Sequence, residues 1–349
     1  MRNLISSTLS RAITRTPATL ILALCVPLLA CGDAPGTSDT ESTGADSDSG
    51  TTGDTGGEQS GVLVGTFRVE LIAPVAATAD SPATPGKTTV LGKVYDGAYP
   101  GQIIWEEANK VGDCRLLTPR VPFCNTPCGG SAVCVEDDTC EDYPLSGSVG
   151  TVVVKGLKTE DGGAEFTMSP IANNYQAPAT AKLLYPAFAE GDTISMTASG
   201  DRFAAFKLSG RGIAPLELTS TDLALVPDQA LTLTWKPAAE PTRSTLHVKL
   251  DISHHGGTKG MILCDTADTG SLELAGPLIG ELLNLGAAGY PTIVVAREAF
   301  GSTTIAEGRI DLVLSSSLEY AVQVPGVTSC LDEVDCSDGQ TCQSDLTCQ

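Results

Sequence analysis

From Val62 onward the chain is a succession of short apolar or alternating runs separated by Gly, Pro and Asp. The alternation is clearest at Leu246, Val248, Leu250 and Ile252, which interleave with His247, Lys249 and Asp251. A period of two puts the first set on one face of a strand and the polar set on the other. Ile310, Leu312 and Leu314 repeat the device. Strands are predicted over Thr66–Ile72, Thr88–Val94, Gln102–Trp105, Val149–Val154, Thr193–Ala198, Phe203–Leu208, Leu231–Trp235, Thr245–Ile252, Met261–Cys264, Thr292–Arg297, Arg309–Leu314 and Tyr320–Val324. One helix is expected where Pro277 opens a helical spacing of Leu278, Ile279, Leu282 and Leu283 that Gly286 would end. Short strands with frequent turn signals predict an all-β fold of antiparallel sandwiches. The length suits two sandwich-like units, over 62–225 and 226–325.

The N-terminus has a different pattern. Arg2, Arg11 and Arg15 precede a mostly apolar run from Ala18 to Ala30, too short to span a bilayer comfortably. This reads as a signal peptide over 1–30. Its end, Leu28-Leu29-Ala30-Cys31-Gly32, resembles the lipobox of bacterial lipoproteins. That resemblance implies lipidation of Cys31, which becomes the first residue of the mature chain and a membrane anchor. Gly32, where such lipoproteins often carry Asp to stay at the inner membrane, implies the outer membrane, with the head on its periplasmic or surface side. The Leu231–Pro237 segment looks like the opening strand of an immunoglobulin-like or fibronectin-like sandwich, which implies fold and no activity.

Composition sharpens this picture in two ways. Residues 31–61 are nearly all Gly, Ser, Thr and acids, with seven acids and no base from Asp33 to Gly61. They cannot bury a core, so they are expected to form a disordered tether with a mean reach of roughly 30 Å. The formal net charge of −21 opposes binding of phosphate backbones and excludes nucleic acid as the principal partner.

Twelve cysteines complete the inventory. With Cys25 in the signal peptide and Cys31 lipidated, ten remain: Cys114, Cys124, Cys128, Cys134, Cys140, Cys264, Cys330, Cys336, Cys342 and Cys348. An exported chain meets an oxidising compartment, so these are disulfide candidates. The run Cys128-x5-Cys134-x5-Cys140 matches Cys336-x5-Cys342-x5-Cys348 in spacing, a weak repeat of about twenty residues. It looks like the small four-Cys modules of secreted proteins. One would be an insertion at about 114–142, the other the C-terminal segment 326–349. Such short segments need staples in place of a core. Structural zinc usually takes cysteine pairs two to four residues apart, whereas these gaps are mostly five. The spacing leaves connectivity open. If each module closes on four cysteines, Cys114 and Cys264 remain, either to bridge the sandwiches or to leave Cys264 a buried thiol.

Catalytic patterns are sparse. His254 and His255 in a Gly-rich stretch, followed by Asp265 and Asp268, are the candidate metal ligands, for zinc or calcium, or the base of a metal-dependent hydrolase. Adjacent His side chains on an extended chain point apart, and the Gly-rich context suits a turn. The acids Asp137, Asp138, Glu141 and Asp142 form a second calcium candidate of the same kind. Trp235 shares a face with Leu231 and Leu233 and is expected in the core, while Tyr175, Tyr185 and Tyr290 are candidate sugar contacts. The sequence thus predicts no cofactor and no enzyme. It predicts a tethered outer-envelope lipoprotein with a binding or adhesion role, similar to uncharacterised Gram-negative surface lipoproteins, and with an envelope protein or glycan as partner. A purely structural envelope component is the further alternative.

Overall fold

The computed structural model describes residues 61–77, 82–220, 222–337 and 339–349. The signal peptide, Cys31 and nearly all of the tether lie outside them. Among the described residues no helix is long and apolar enough to cross a membrane.

The fold is all-β, with two sandwich-like cores. A nine-stranded sheet runs in the order β3 (Ile104–Val111), β4 (Cys114–Arg120), β14 (Met261–Ala267), β13 (Thr245–Asp251), β16 (Thr292–Thr304), β17 (Arg309–Ala321), β1 (Leu63–Ile72), β2 (Lys87–Val94) and β9 (Asn174–Gln176). Its neighbours are antiparallel except β1 and β17, which run parallel. One core lies between β1, β2 and the far half of the β16–β17 hairpin and a four-stranded sheet of β11 (Phe206–Arg211), β10 (Thr193–Ala198), β7 (Val152–Lys155) and β8 (Glu165–Met168). Phe67, Val69, Leu312, Leu314, Val154 and Met196 are buried there. The other core lies under β4, β13, β14 and the near half of β16. It is closed by β12 (Leu231–Thr234), β15 (Ser271–Leu274) and helix α1 (Gly276–Asn284).

The cores do not part at 225/226. Strand β4 from the first stretch pairs with β14 from the second, and β17 from the second pairs with β1 from the first. The two 13-residue strands β16 and β17 serve both: Ile293 and Val295 face one core, Ala299, Ile310 and Leu312 the other. A boundary at Leu225 follows from length alone, but strand pairing crosses it because a strand about 40 Å long can cover two cores in sequence.

Local chemistry explains the pieces. Pro277 sits in the first turn of α1, Leu278, Ile279 and Leu282 are buried, and Gly286, just past the C-cap, adopts a φ of +85°. Gly92 pairs across the ladder with Phe67, whose ring occupies the space a Cβ at 92 would need. Trp235 is in the core as expected, with Leu231 and Leu233.

Candidate functional site

All ten cysteines are paired. The first module closes Cys124–Cys134 and Cys128–Cys140, the second Cys330–Cys342 and Cys336–Cys348. Both join first to third and second to fourth, so the spacing repeat is also a repeat of topology. In each module three of the sulfurs lie within 4.8 Å of one another, as adjacent disulfides require, but paired sulfur offers no thiolate to a metal. Cys114 and Cys264 are directly opposite each other on β4 and β14 and form the fifth disulfide. Cys114 therefore belongs to the sheet, and the insertion begins beyond Arg120 rather than at 114.

The first module is a hairpin of β5 (Ala132–Glu136) and β6 (Thr139–Asp142). Two of its acids are held by local donors. Asp137 accepts from the Phe123 amide at 3.0 Å and pairs with Arg120 at 3.4 Å. Asp138 accepts from the Asn125 backbone and side-chain amides, which hold its carboxyl below the usual carboxylate range. The second module sits against the head: Ser329 donates to the Gly289 carbonyl at 2.5 Å, and the Gly289 amide donates to the Asp345 carbonyl at 2.7 Å. Both modules present exposed apolar side chains. Val121 and Phe123 are 71% and 69% exposed, Leu331 and Val334 76% and 86%.

Of the four residues singled out as metal ligands, only the two histidines come together. His254 and His255 do not point apart as on an extended chain: their tilted rings lie with centroids 3.9 Å apart on the turn beyond β13, where His255 has a φ of +62°. The His254 carbonyl accepts from the Tyr290 amide at 2.8 Å, and Gly256 lies against Gly289 and the Asp345 carbonyl. The Gly-rich turn is the seat of the C-terminal module, and packing accounts for its composition. Asp265 pairs four rungs along the β13–β14 ladder from the Asp251–Met261 end where that turn begins. Asp268 is fully buried on the opposite, core side of the sheet. Its four bonds come from Trp235 Nε1 at 2.7 Å, Ser244 Oγ at 2.8 Å, and Arg297 Nε and Nη2 at 2.6 and 3.0 Å. Burial works against its charge, but these donors, Arg297 first, outweigh it and lower its pKa. Arg297 places its remaining donors on the carbonyls of Ala214, Pro215 and Lys236. Asp268 is thus a structural anion with its acceptor capacity filled, and period-two geometry prevents it from meeting Asp265.

The sequence reading passed over His247, the third histidine. It stands on the outer face of the large sheet, with Nδ1 2.5 Å from Asp265 Oδ1 and Nε2 3.8 Å from Glu298 Oε2. Nε2 is buried without a hydrogen-bond partner. Arg115 lies 3.7 Å from Asp265, and Arg68 donates to Glu298 at 2.7 Å. With His247 protonated, the row Arg115, Asp265, His247, Glu298, Arg68 alternates in sign across β4, β14, β13, β16 and, beyond β17, β1. Burial disfavours the imidazolium, yet the Asp265 bond and the Glu298 charge raise the His247 pKa overall. Alternation along β13 placed His247 outward, but only strand pairing brings the acids beside it.

Of the three tyrosines considered for sugar contact, Tyr175 is fully buried, with its hydroxyl accepting from the Val149 amide and donating to the Gly150 carbonyl. Tyr185 is half-buried, and burial pushes its phenol up.

No protein-family model and no curated protein matches the chain. Among solved structures, the FN1–FN3 domains of chicken CNTN1 align at 12% identity, over 67% of this chain and 72% of that one, with a TM-score of 0.16.

Proposed function

We propose that this chain is an outer-envelope lipoprotein with a non-enzymatic binding or adhesion role. Residues 1–30 direct export, Cys31 carries the lipid anchor, and 31–61 hold the head clear of the membrane. The observation that carries the binding reading is the pair of stapled modules. Each has the same disulfide topology, is fixed by short loops, and exposes a pair of large apolar side chains to solvent. Rigid protrusions with exposed apolar tips lose little entropy on docking, which favours association. The His254–His255 turn is taken up by packing against the second module, so it lends the hydrolase alternative no support. A surface depression of about 340 Å³ lined by Ala224, Pro291, Val322, Gln323 and Val324 offers neither an acid nor a base.

The test is saturable binding of the purified oxidised chain to isolated cell envelopes. It compares wild type with a variant carrying Val121→Ser, Phe123→Ser, Leu331→Ser and Val334→Ser. These exposed positions should leave Tm unchanged while retention falls about tenfold or more. Equal retention by the two proteins would reject the role of the tips. In cells, Cys31→Ala should abolish incorporation of a labelled fatty acid and release the head from the membrane fraction.

A further inference from the structure

The structure assembles three tyrosines that no sequence pattern linked. Tyr95 and Tyr99 lie on the connection between β2 and β3, and Tyr143 leaves the first module 44 residues further on. Ring centroids are 5.9 Å apart for Tyr95–Tyr99 and 5.3 Å for Tyr99–Tyr143. Tyr175 is fully buried, whereas Tyr99 is 46% exposed, and Leu145 beside the cluster is exposed as well. Gln102 donates its amide to the Tyr143 hydroxyl at 2.9 Å, and the Lys93 ammonium lies 5.2 Å over the Tyr95 ring.

The support beneath is rigid. The Tyr95 amide donates to the Val64 carbonyl at 2.8 Å, and Tyr95 bridges to Ser146. Asp96 accepts from the Leu145 amide at 2.7 Å and from Arg202 Nη2 at 2.7 Å, and its own amide donates to the Leu145 carbonyl. The loop and the module exit are therefore one preorganised surface, which lowers the ordering cost of any ligand.

We propose that Tyr95, Tyr99 and Tyr143 form a stacking platform for a neutral saccharide. This rests on the binding reading above and names its partner. A pyranose has an apolar C–H face bordered by hydroxyls, and it meets here an aromatic surface of rings inclined at 65° and 40° to one another and edged by phenol and amide groups, the amphipathic character that favours tyrosine at interfaces. Charge points the same way: Asp96 and Arg202 neutralise each other, Lys93 is engaged on the Tyr95 ring, and the acidic chain as a whole repels anionic glycans. A proline-rich peptide fits less well. A proline held between two rings needs about 7 Å, two contacts of ~3.5 Å, whereas these rings already touch.

The experiment is saturation-transfer NMR and titration of the full mature chain with chitotetraose, cellotetraose, maltotetraose and a β-1,4-galactotetraose. Hyaluronan fragments and a proline-rich decapeptide serve as comparators. The expected result is saturable binding of at least one neutral tetrasaccharide. Affinity should fall about tenfold in Tyr99→Ala and measurably in Gln102→Ala, an exposed position that does not threaten folding. The Phe123→Ser and Val334→Ser variants should bind the sugar as wild type does, which separates this site from the module tips. No saturable binding of any of the four sugars would overturn the proposal. So would binding indifferent to both Tyr99→Ala and Gln102→Ala, or preference for the peptide or the acidic glycan. Unchanged envelope retention by the tip variant, with sugar binding intact, would reject the role of the module tips and leave the platform standing.

Discussion

Removing the charge of Asp268 should be among the most damaging conservative changes in the molecule. Asp268→Asn keeps the volume and leaves the Arg297 guanidinium, 1% exposed, without a counter-ion. All five guanidinium donors are used in the native state: two on Asp268, and three on the carbonyls of Ala214, Pro215 and Lys236. The side chain is held by three separate loops and cannot swing out to water. Breaking a buried pair by deleting one partner costs roughly 3–5 kcal/mol, a large part of the ~5–15 kcal/mol that stabilises a typical domain. Urea denaturation of the oxidised protein, comparing midpoints at equal slope, measures the loss. Arg297→Met should cost a similar amount, and the double variant less than the two together, because neither charge is then left buried alone. The pH dependence follows from the lowered pKa of Asp268. A depressed folded value means its contribution is complete above the ordinary carboxylate range near ~3.9 and is lost as pH falls toward the folded value. Asp268→Asn should therefore flatten the acid limb of the stability profile. A loss below about 1 kcal/mol, or an unchanged acid limb, would refute the view that this pair holds the second core to its loops.

His247 behaves in the opposite sense: its raised folded pKa makes its contribution complete below the ordinary histidine value of about 6.5, fading as pH rises through the folded value. Tm measured from pH 5 to 9 should fall on the alkaline side in wild type and less so in His247→Gln. A ring-proton NMR titration with a midpoint below that of a free histidine would contradict it. Cys114→Ser with Cys264→Ser opens a closure of 150 residues between two sheet strands and should cost about 2–5 kcal/mol by urea denaturation. A change under 1 kcal/mol would show that the ladder alone positions β4. Gly92→Ala should cost roughly 1–3 kcal/mol through displacement of the Phe67 ring, and Phe67→Leu in the same chain should recover part of it.

The elements most legible in sequence are those whose burial follows one period. Strand β13 alternates without exception, so its core side was plain. The helix carried its own Pro and Gly signals, and Trp235 its parity with Leu231 and Leu233. The sequence ends the two strands of the long β16–β17 hairpin at Arg297 and Leu314 because Glu298 and Ser315–Ser317 follow them. Polar residues there break the apolar period, yet Arg297, Ser315 and Ser316 are buried, Arg297 and Ser316 with bonds to distant backbone: Ser316 alone meets the Leu216 amide and the Leu71 carbonyl. Only the start of β3 is legible, within the strand predicted over Gln102–Trp105, because the rest is charged and exposed, and β4 is masked by the cysteine that suggests an insertion.

What the residues themselves carried was periodicity, turn chemistry and cysteine spacing, since each depends on neighbours within about twenty positions. That was enough for an all-β head and for two modules of one design. Tertiary structure decided the rest, because a sheet brings together residues that share no local pattern. Only pairing across the sheet could set Asp265 and Glu298 on either side of His247, put Asp268 against Arg297 on the opposite face, and join Cys114 to Cys264. Only the packing of the module exit on the β2–β3 loop could gather three tyrosines into one surface.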